Sequence, residues 1–206
     1  MKKYKYIFDF DDTLFKNTEM LKPRIFSMIA KATGLSEKDI ETRYYIPAVR
    51  DHFSLIEFIK ELFVEKEIPE EGADSLFQEI MGESHQFLNM DLVEEMKKIP
   101  REDRFIVTTG QYDFNWSKLA YSGILEYFNI SHIVVVPGEK SKAVKKICYD
   151  NKDFTVVFID DKPRFIEELD KANIPNLQCI LYDGKNLSEL VRKIEGYRSD
   201  ELRGIK

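Results

Sequence analysis

Five short segments are rich in β-forming residues, with their apolar positions continuous instead of alternating: YKYIF (4–8), RFIVTT (104–109), HIVVV (132–136), TVVFI (155–159) and LQCILY (177–182). Runs of this length, rich in Val, Ile, Phe and Tyr, belong to strands covered on both faces, as in a parallel sheet. From residue 104 onward, stretches of helical periodicity separate them, at 114–122 (closed by Gly123), 140–150, 163–173 and 187–195. Strands alternating with helices predict an α/β fold: a Rossmann-like parallel sheet core of about five strands, with helices on both faces.

The first connection breaks this rhythm. Residues 16 to 103 are too many for one crossover, and their apolar positions recur at helical spacing. PRIFSMIAKAT (23–33) carries Pro23 in its first turn and Gly34 behind it. Ser54 and Glu57 form a possible capping box before LIEFIKELF (55–63), with Phe53 and Phe58 placed as a hydrophobic staple. A further helix is expected over 73–88, and Asp91 with Glu94 marks the start of another that Pro100 ends. The pattern therefore predicts an all-helical insertion, 17–89, in a core made of 1–16 and 90–206. The polar tail, 196–206, is expected to be loosely held.

Composition narrows the classes of function. At 206 residues and 43% hydrophobic, the chain can bury a substantial core. A formal net charge of −6 with scattered basic residues argues against nucleic acid as a partner. The longest apolar runs are too short to span a bilayer, so no membrane partner is expected. MKKYKYIF resembles the start of a leader, but the aspartates that follow stop an apolar core from forming. Cys148 and Cys179 lie in apolar surroundings, outside any C-x-x-C pair, as expected of reduced thiols in a cytoplasmic protein.

The chemistry lies at the strand ends. In open parallel sheets, ligands bind beyond the carboxyl ends of the strands. Here the first strand delivers Asp9, Asp11 and Thr13, and the second delivers Thr108, Thr109 and Gly110. The loop after the third brings Lys140 and Lys142, and the fourth ends in Asp160 and Asp161. Carboxylates this close repel one another, and burying them is costly unless a cation compensates. A hard cation with oxygen ligands fits the aspartates, and hydroxyl and ammonium donors fit a phosphoryl group beside it.

DFDDTL, a strand ending in TTG, a lysine at a helix start, and FIDD together resemble the four ordered motifs of the haloacid dehalogenase superfamily, across 1–15 and about 91–195. The helical insertion falls where that family places a cap. The family's frequent Lys-Pro and Gly-Asp signatures are replaced here by GEKSKAV and DD, which leaves open the choice between Lys140 and Lys142 and between Asp160 and Asp161.

The resemblance implies a phosphatase that works through a phosphoaspartyl intermediate. Asp9 is the expected nucleophile and Asp11 the acid and base, with Thr13 steadying the turn. Thr108, Thr109 and Lys140 are expected to bind the phosphoryl group. Mg²⁺ is the implied cofactor, held by Asp9, the Asp11 carbonyl, and Asp161 with help from Asp160. A helical cap that closes over the strand ends implies a small phosphorylated metabolite as substrate. The dehalogenases of the family lack an acid at the position of Asp11. Alternatives are a phosphomutase or phosphonate hydrolase of the same architecture, a degenerate phosphate-binding scaffold, and a response-regulator receiver, which motif order disfavours. Asp12 is expected to be exposed or structural. Arg43, Tyr44, Tyr45, Arg50 and His52 cluster before a cap helix, where they reach a substrate or form a solvated face. Phe114 and Trp116 are expected in the core or the site wall.

Overall fold

The computed structural model describes residues 3–46, 53–182 and 184–203, and for 198–203 only the backbone. The five apolar runs form five strands: β1 (Tyr4–Phe8), β2 (Arg104–Thr109), β3 (Ile133–Val136), β4 (Thr155–Asp160) and β5 (Leu177–Leu181). They make one sheet in the order β3-β2-β1-β4-β5, and every pairing is parallel. This is an α/β Rossmann-like fold. β1 lies at its centre.

By contacts the chain divides into two compact units. The first comprises 1–15, 89–109 and 124–206 and contains the sheet. Its helices are α5 (Met90–Lys97), α7 (Ser141–Asp150), α8 (Pro163–Lys171) and α9 (Leu187–Arg203). Side chains alternate along the strands. Ile7, Phe105, Val107, Val156 and Phe158 pack with Val144, Ile147 and Cys148 of α7 and Phe165 and Leu169 of α8. On β1, Tyr4 meets Tyr197 of α9, ring centroids 5.0 Å apart.

The second unit comprises 16–88 and 110–123. It holds α1 (Lys22–Thr33), α2 (Glu37–Tyr44), α3 (Leu55–Glu65), α4 (Glu71–Gly82) and α6 (Tyr112–Tyr121). The expected signals operate locally. Gly34 and Gly123 follow their helices with φ of 72° and 76°, the left-handed conformation that ends a helix. Ser54 accepts the Glu57 N–H at 3.5 Å, and the Phe53 and Phe58 rings lie 5.8 Å apart. Ser36 caps α2 by accepting the Asp39 N–H at 3.1 Å.

Four elements differ from the sequence expectation. The helix expected over 73–88 stops at Gly82, and a 3₁₀ turn, Ser84–Phe87, carries the apolar spacing onward. The helix expected to begin at Asp91 starts at Met90, after Asn89. The segment α9 runs to Arg203, so most of the tail expected to be loose is helical. Residues 110–123 group with the insertion instead of the core. Phe114 stacks edge-on against Phe53 (5.1 Å), and the Tyr121 hydroxyl donates to Gln78 Oε1 at 2.5 Å.

Candidate active site

The loop after β1 is built around one carbonyl. Phe10 O accepts the backbone N–H groups of Thr13, Leu14 and Phe15 at 3.3, 3.0 and 2.9 Å. The turn is closed by the Asp12 N–H, which donates to Phe15 O at 2.7 Å, and the rings of Phe10 and Phe15 stack at 5.0 Å. To make this tight reversal Asp12 adopts φ 67°, a left-handed conformation that Asp tolerates better than most residues. Asp12 is half-buried. The Asp9 N–H extends the β1–β4 ladder by one bond, to Ile159 O at 2.9 Å, which sets Asp9 beside Asp160.

Parity then brings the charges together. Asp9 follows Ile7 by two residues and Asp160 follows Phe158 by two, so both inherit the sheet face covered by α7 and α8. Lys140, the residue that opens α7, donates its ammonium to Asp9 Oδ1 and Asp160 Oδ2. All three side chains are buried, Lys140 and Asp9 at 1% relative exposure and Asp160 at 0%. The Lys140 ammonium also lies over the rings of Phe165 (4.7 Å) and Phe158 (5.6 Å), a favourable setting for a buried cation. Lys142 is exposed on α7. Of the two lysines left open by the sequence, Lys140 is the one at the carboxylates.

Asp160 has both oxygens engaged, since its Oδ1 also accepts the Lys162 N–H at 2.8 Å. Asp161 is half-buried and accepts from Lys162 Nζ at 3.3 Å. Thr13 Oγ1 donates to Asp9 Oδ2 at 3.5 Å, which agrees with its expected steadying part. The carboxyl groups outweigh the cations. Burial, with Asp160 adding to it, pushes the Asp9 carboxyl above the usual range against the pull of Lys140. Burial pushes Asp161 up to about 6, with Lys162 opposing and Asp9 and Asp160 reinforcing. Burial disfavours the Lys162 ammonium, yet Asp9, Asp161, Asp11 and Asp12 together raise it above the ordinary lysine value.

Such a cluster fits a divalent cation. Asp9, Asp160 and Asp161 can each offer an oxygen with all three atoms within 4.8 Å of one another. Hard carboxylate oxygens are what Mg²⁺ prefers. Thr108 is the penultimate residue of β2, and its buried hydroxyl has no hydrogen-bond partner among the described residues. An orphaned buried donor of this kind is uncommon and suits a ligand oxygen. Thr109 and Asp11 are half-buried at the same strand ends.

The remaining sequence candidates fall elsewhere. Arg43 pairs with Glu65, and Tyr44 is buried against Phe26 and Phe53. Arg50 and His52 lie outside the described residues. Phe114 is buried in the helical unit, its ring 5.1 Å from that of Phe53, and has no part in the carboxylate cluster. Sequence reasoning missed Lys162, which resembles any solvated lysine until DD is placed on a strand end. It also missed Asn89, whose side-chain amide donates to Thr13 O (3.2 Å) and to the Tyr182 hydroxyl (3.1 Å).

Neither a family model nor a curated protein sequence matches the chain. Solved structures do. A protein described as a haloacid dehalogenase-like hydrolase from Burkholderia xenovorans LB400 aligns with TM-score 0.62 at 15% identity, over 88% of this chain and 82% of that one. The 2-haloacid dehalogenase of Pseudomonas syringae pv. Tomato DC3000 aligns with TM-score 0.56 at 15% identity, over 90% and 88%. A Bacillus subtilis protein described as a HAD hydrolase, solved bound to magnesium, gives TM-score 0.55 at 14% identity, over 90% and 89%. The fold is that of the haloacid dehalogenase-like hydrolases.

Proposed function

We propose that the chain is a member of the haloacid dehalogenase superfamily and a Mg²⁺-dependent phosphatase that hydrolyses a small phosphorylated metabolite. The observation that carries this reading is the buried Asp9–Lys140–Asp160 cluster at the carboxyl ends of β1 and β4. Asp9 attacks phosphorus and forms a phosphoaspartyl anhydride as the leaving alkoxide departs. Asp11, two residues along the same turn, gives that oxygen a proton and then takes one from the water that hydrolyses the phosphoaspartyl anhydride. Lys140 offsets negative charge on Asp9 and on the transferring group, and the free hydroxyl of Thr108 donates to a phosphoryl oxygen. Asp9 and Asp161, with help from Asp160, would hold the cation, since each can offer an oxygen within 4.8 Å of the others. When bound, Mg²⁺ supplies Lewis-acid stabilisation of the phosphoryl oxygens.

The dehalogenase among the similar structures raises a second reading. Asp11 opposes it: a dehalogenase has no leaving alkoxide to protonate, and an acid at that position serves phosphoryl transfer. Asp9→Asn, assayed on an aryl phosphate with Mg²⁺, is expected to lose nearly all turnover while its circular dichroism stays unchanged. Wild-type rates in that variant, or a rate that survives excess chelator, would sink the proposal.

A further inference from the structure

Lys162 is the member of the cluster to which the proposed reaction gives no part. It caps α8 between Asp161 and Pro163, with extended backbone angles of φ −101° and ψ 113°. Its N–H bond to Asp160 Oδ1 at 2.8 Å fixes the base of the side chain at the site. From there Nζ turns back to Asp161 Oδ1, at 3.3 Å. The contrast with Lys140 is sharp. Lys140 is sealed in and held by two carboxylates, whereas the Lys162 side chain is 35% exposed and makes one long ion pair with Asp161, itself 18% exposed. A lysine ammonium is a compact, hydrated charge on a flexible stem. Held by one long pair at the edge of solvent, it exchanges partners at little cost.

The carboxylate that Lys162 holds is one of the three able to converge on a single cation. A divalent ion brings two charges to an oxygen set where lysine brings one, and the two cations repel. They cannot share Asp161 on equal terms. We infer that Lys162 is a tethered counter-ion of the metal-free protein: its ammonium neutralises Asp161 until a divalent cation displaces it, and this competition weakens metal binding. The inference rests on the reading of Asp9 and Asp161 as metal ligands. It differs from a supporting role for Lys162 in the sign of its effect, since a supporting residue strengthens the metal site and a competitor weakens it.

The test is calorimetric titration of the full chain with Mn²⁺, with no substrate present, for the wild type, Lys162→Met and Lys162→Arg. Methionine keeps the stem and removes the charge. Because the side chain stands at the edge of the site and not in the core, the fold is expected to survive; if it does not, Lys162→Gln is measured in its place. Loss of one partly exposed competing ion pair predicts Mn²⁺ binding roughly fivefold tighter in Lys162→Met, with Lys162→Arg within about twofold of wild type. Binding in Lys162→Met that is unchanged or weaker overturns the tethered counter-ion. If the wild type binds Mn²⁺ and the variant does not tighten, this inference alone fails. If the wild type binds no Mn²⁺, the metal site fails and the inference with it.

Discussion

Thr108 and Asp11 separate what holds the protein together from what it does. The Thr108 hydroxyl is buried without a partner among the described residues. It therefore costs the folded state a desolvation penalty that no hydrogen bond offsets. Thr108→Val keeps the shape and removes the penalty. It is expected to melt at or slightly above the wild-type temperature while kcat/KM for a phosphate ester falls by about ten- to a hundredfold. Parallel losses of melting temperature and activity would make Thr108 a packing residue. Asp11 predicts a different signature. In Asp11→Asn, an aryl phosphate whose leaving group needs little protonation should still transfer its phosphoryl group, and hydrolysis of the phosphoaspartyl anhydride should stall for want of a base. Rapid quench and mass spectrometry should then find a phosphorylated peptide containing Asp9; label on another residue would remove Asp9 as the nucleophile. The placement of both residues at strand ends was legible in the sequence, because the apolar runs before them fix where β1 and β2 finish. The choice of Lys140 over Lys142 was not: both are lysines at one helix start, and only the turn that buries Lys140 between Asp9 and Asp160 tells them apart.

At the scale of elements, apolar runs named all five strands because a covered parallel sheet needs side chains that bury on either face. Helix ends were less legible. Phe87 and Leu88 keep a helical apolar spacing past Gly82, yet the backbone there tightens to a 3₁₀ turn that the pattern does not distinguish. The polarity of 196–203 hid a helix whose apolar anchors, Leu190 and Ile194, lie earlier in the same helix. Periodicity also says that 112–121 is a helix without saying what it packs on; Phe53 decides that. The packing of α7, α8 and β5 makes a prediction about the thiols. Burial pushes Cys148 up to about 11, and burial with Asp170 beside it pushes Cys179 up to about 12. Below those values the groups are protonated, and the thiolate is the reactive form. At pH 8 the folded protein is expected to take up almost no iodoacetamide, and both cysteines should label once denaturant unfolds the chain. Rapid labelling of the native state at pH 8 would show that this side of the sheet opens readily.

For the whole molecule, the question is what size of substrate the chain accepts. The helical unit leaves the chain at Lys16 and returns at Leu88, then leaves again at Gly110 and returns at Gly123. Both departures follow site-bearing segments, the first after the turn that carries Asp9 and Asp11 and the second directly after Thr108 and Thr109. Under the proposed small-metabolite reading, a chamber that excludes water while a small ester reacts does not admit a folded phosphoprotein. Charge acts in the same direction. A net charge of −6 disfavours the approach of acidic phosphopeptides and of nucleic acid at low salt. The intact protein is therefore expected to hydrolyse soluble monophosphates with kcat/KM at least about a hundredfold above that for a phosphorylated protein. The comparison should be made at two ionic strengths. If charge repulsion alone excludes the protein substrate, raising the salt narrows the gap, because screening weakens repulsion between exposed charges. If the helical unit excludes it, the gap persists. Higher kcat/KM on the phosphoprotein at either salt would rule out a small metabolite as the substrate while leaving the Asp9 chemistry intact.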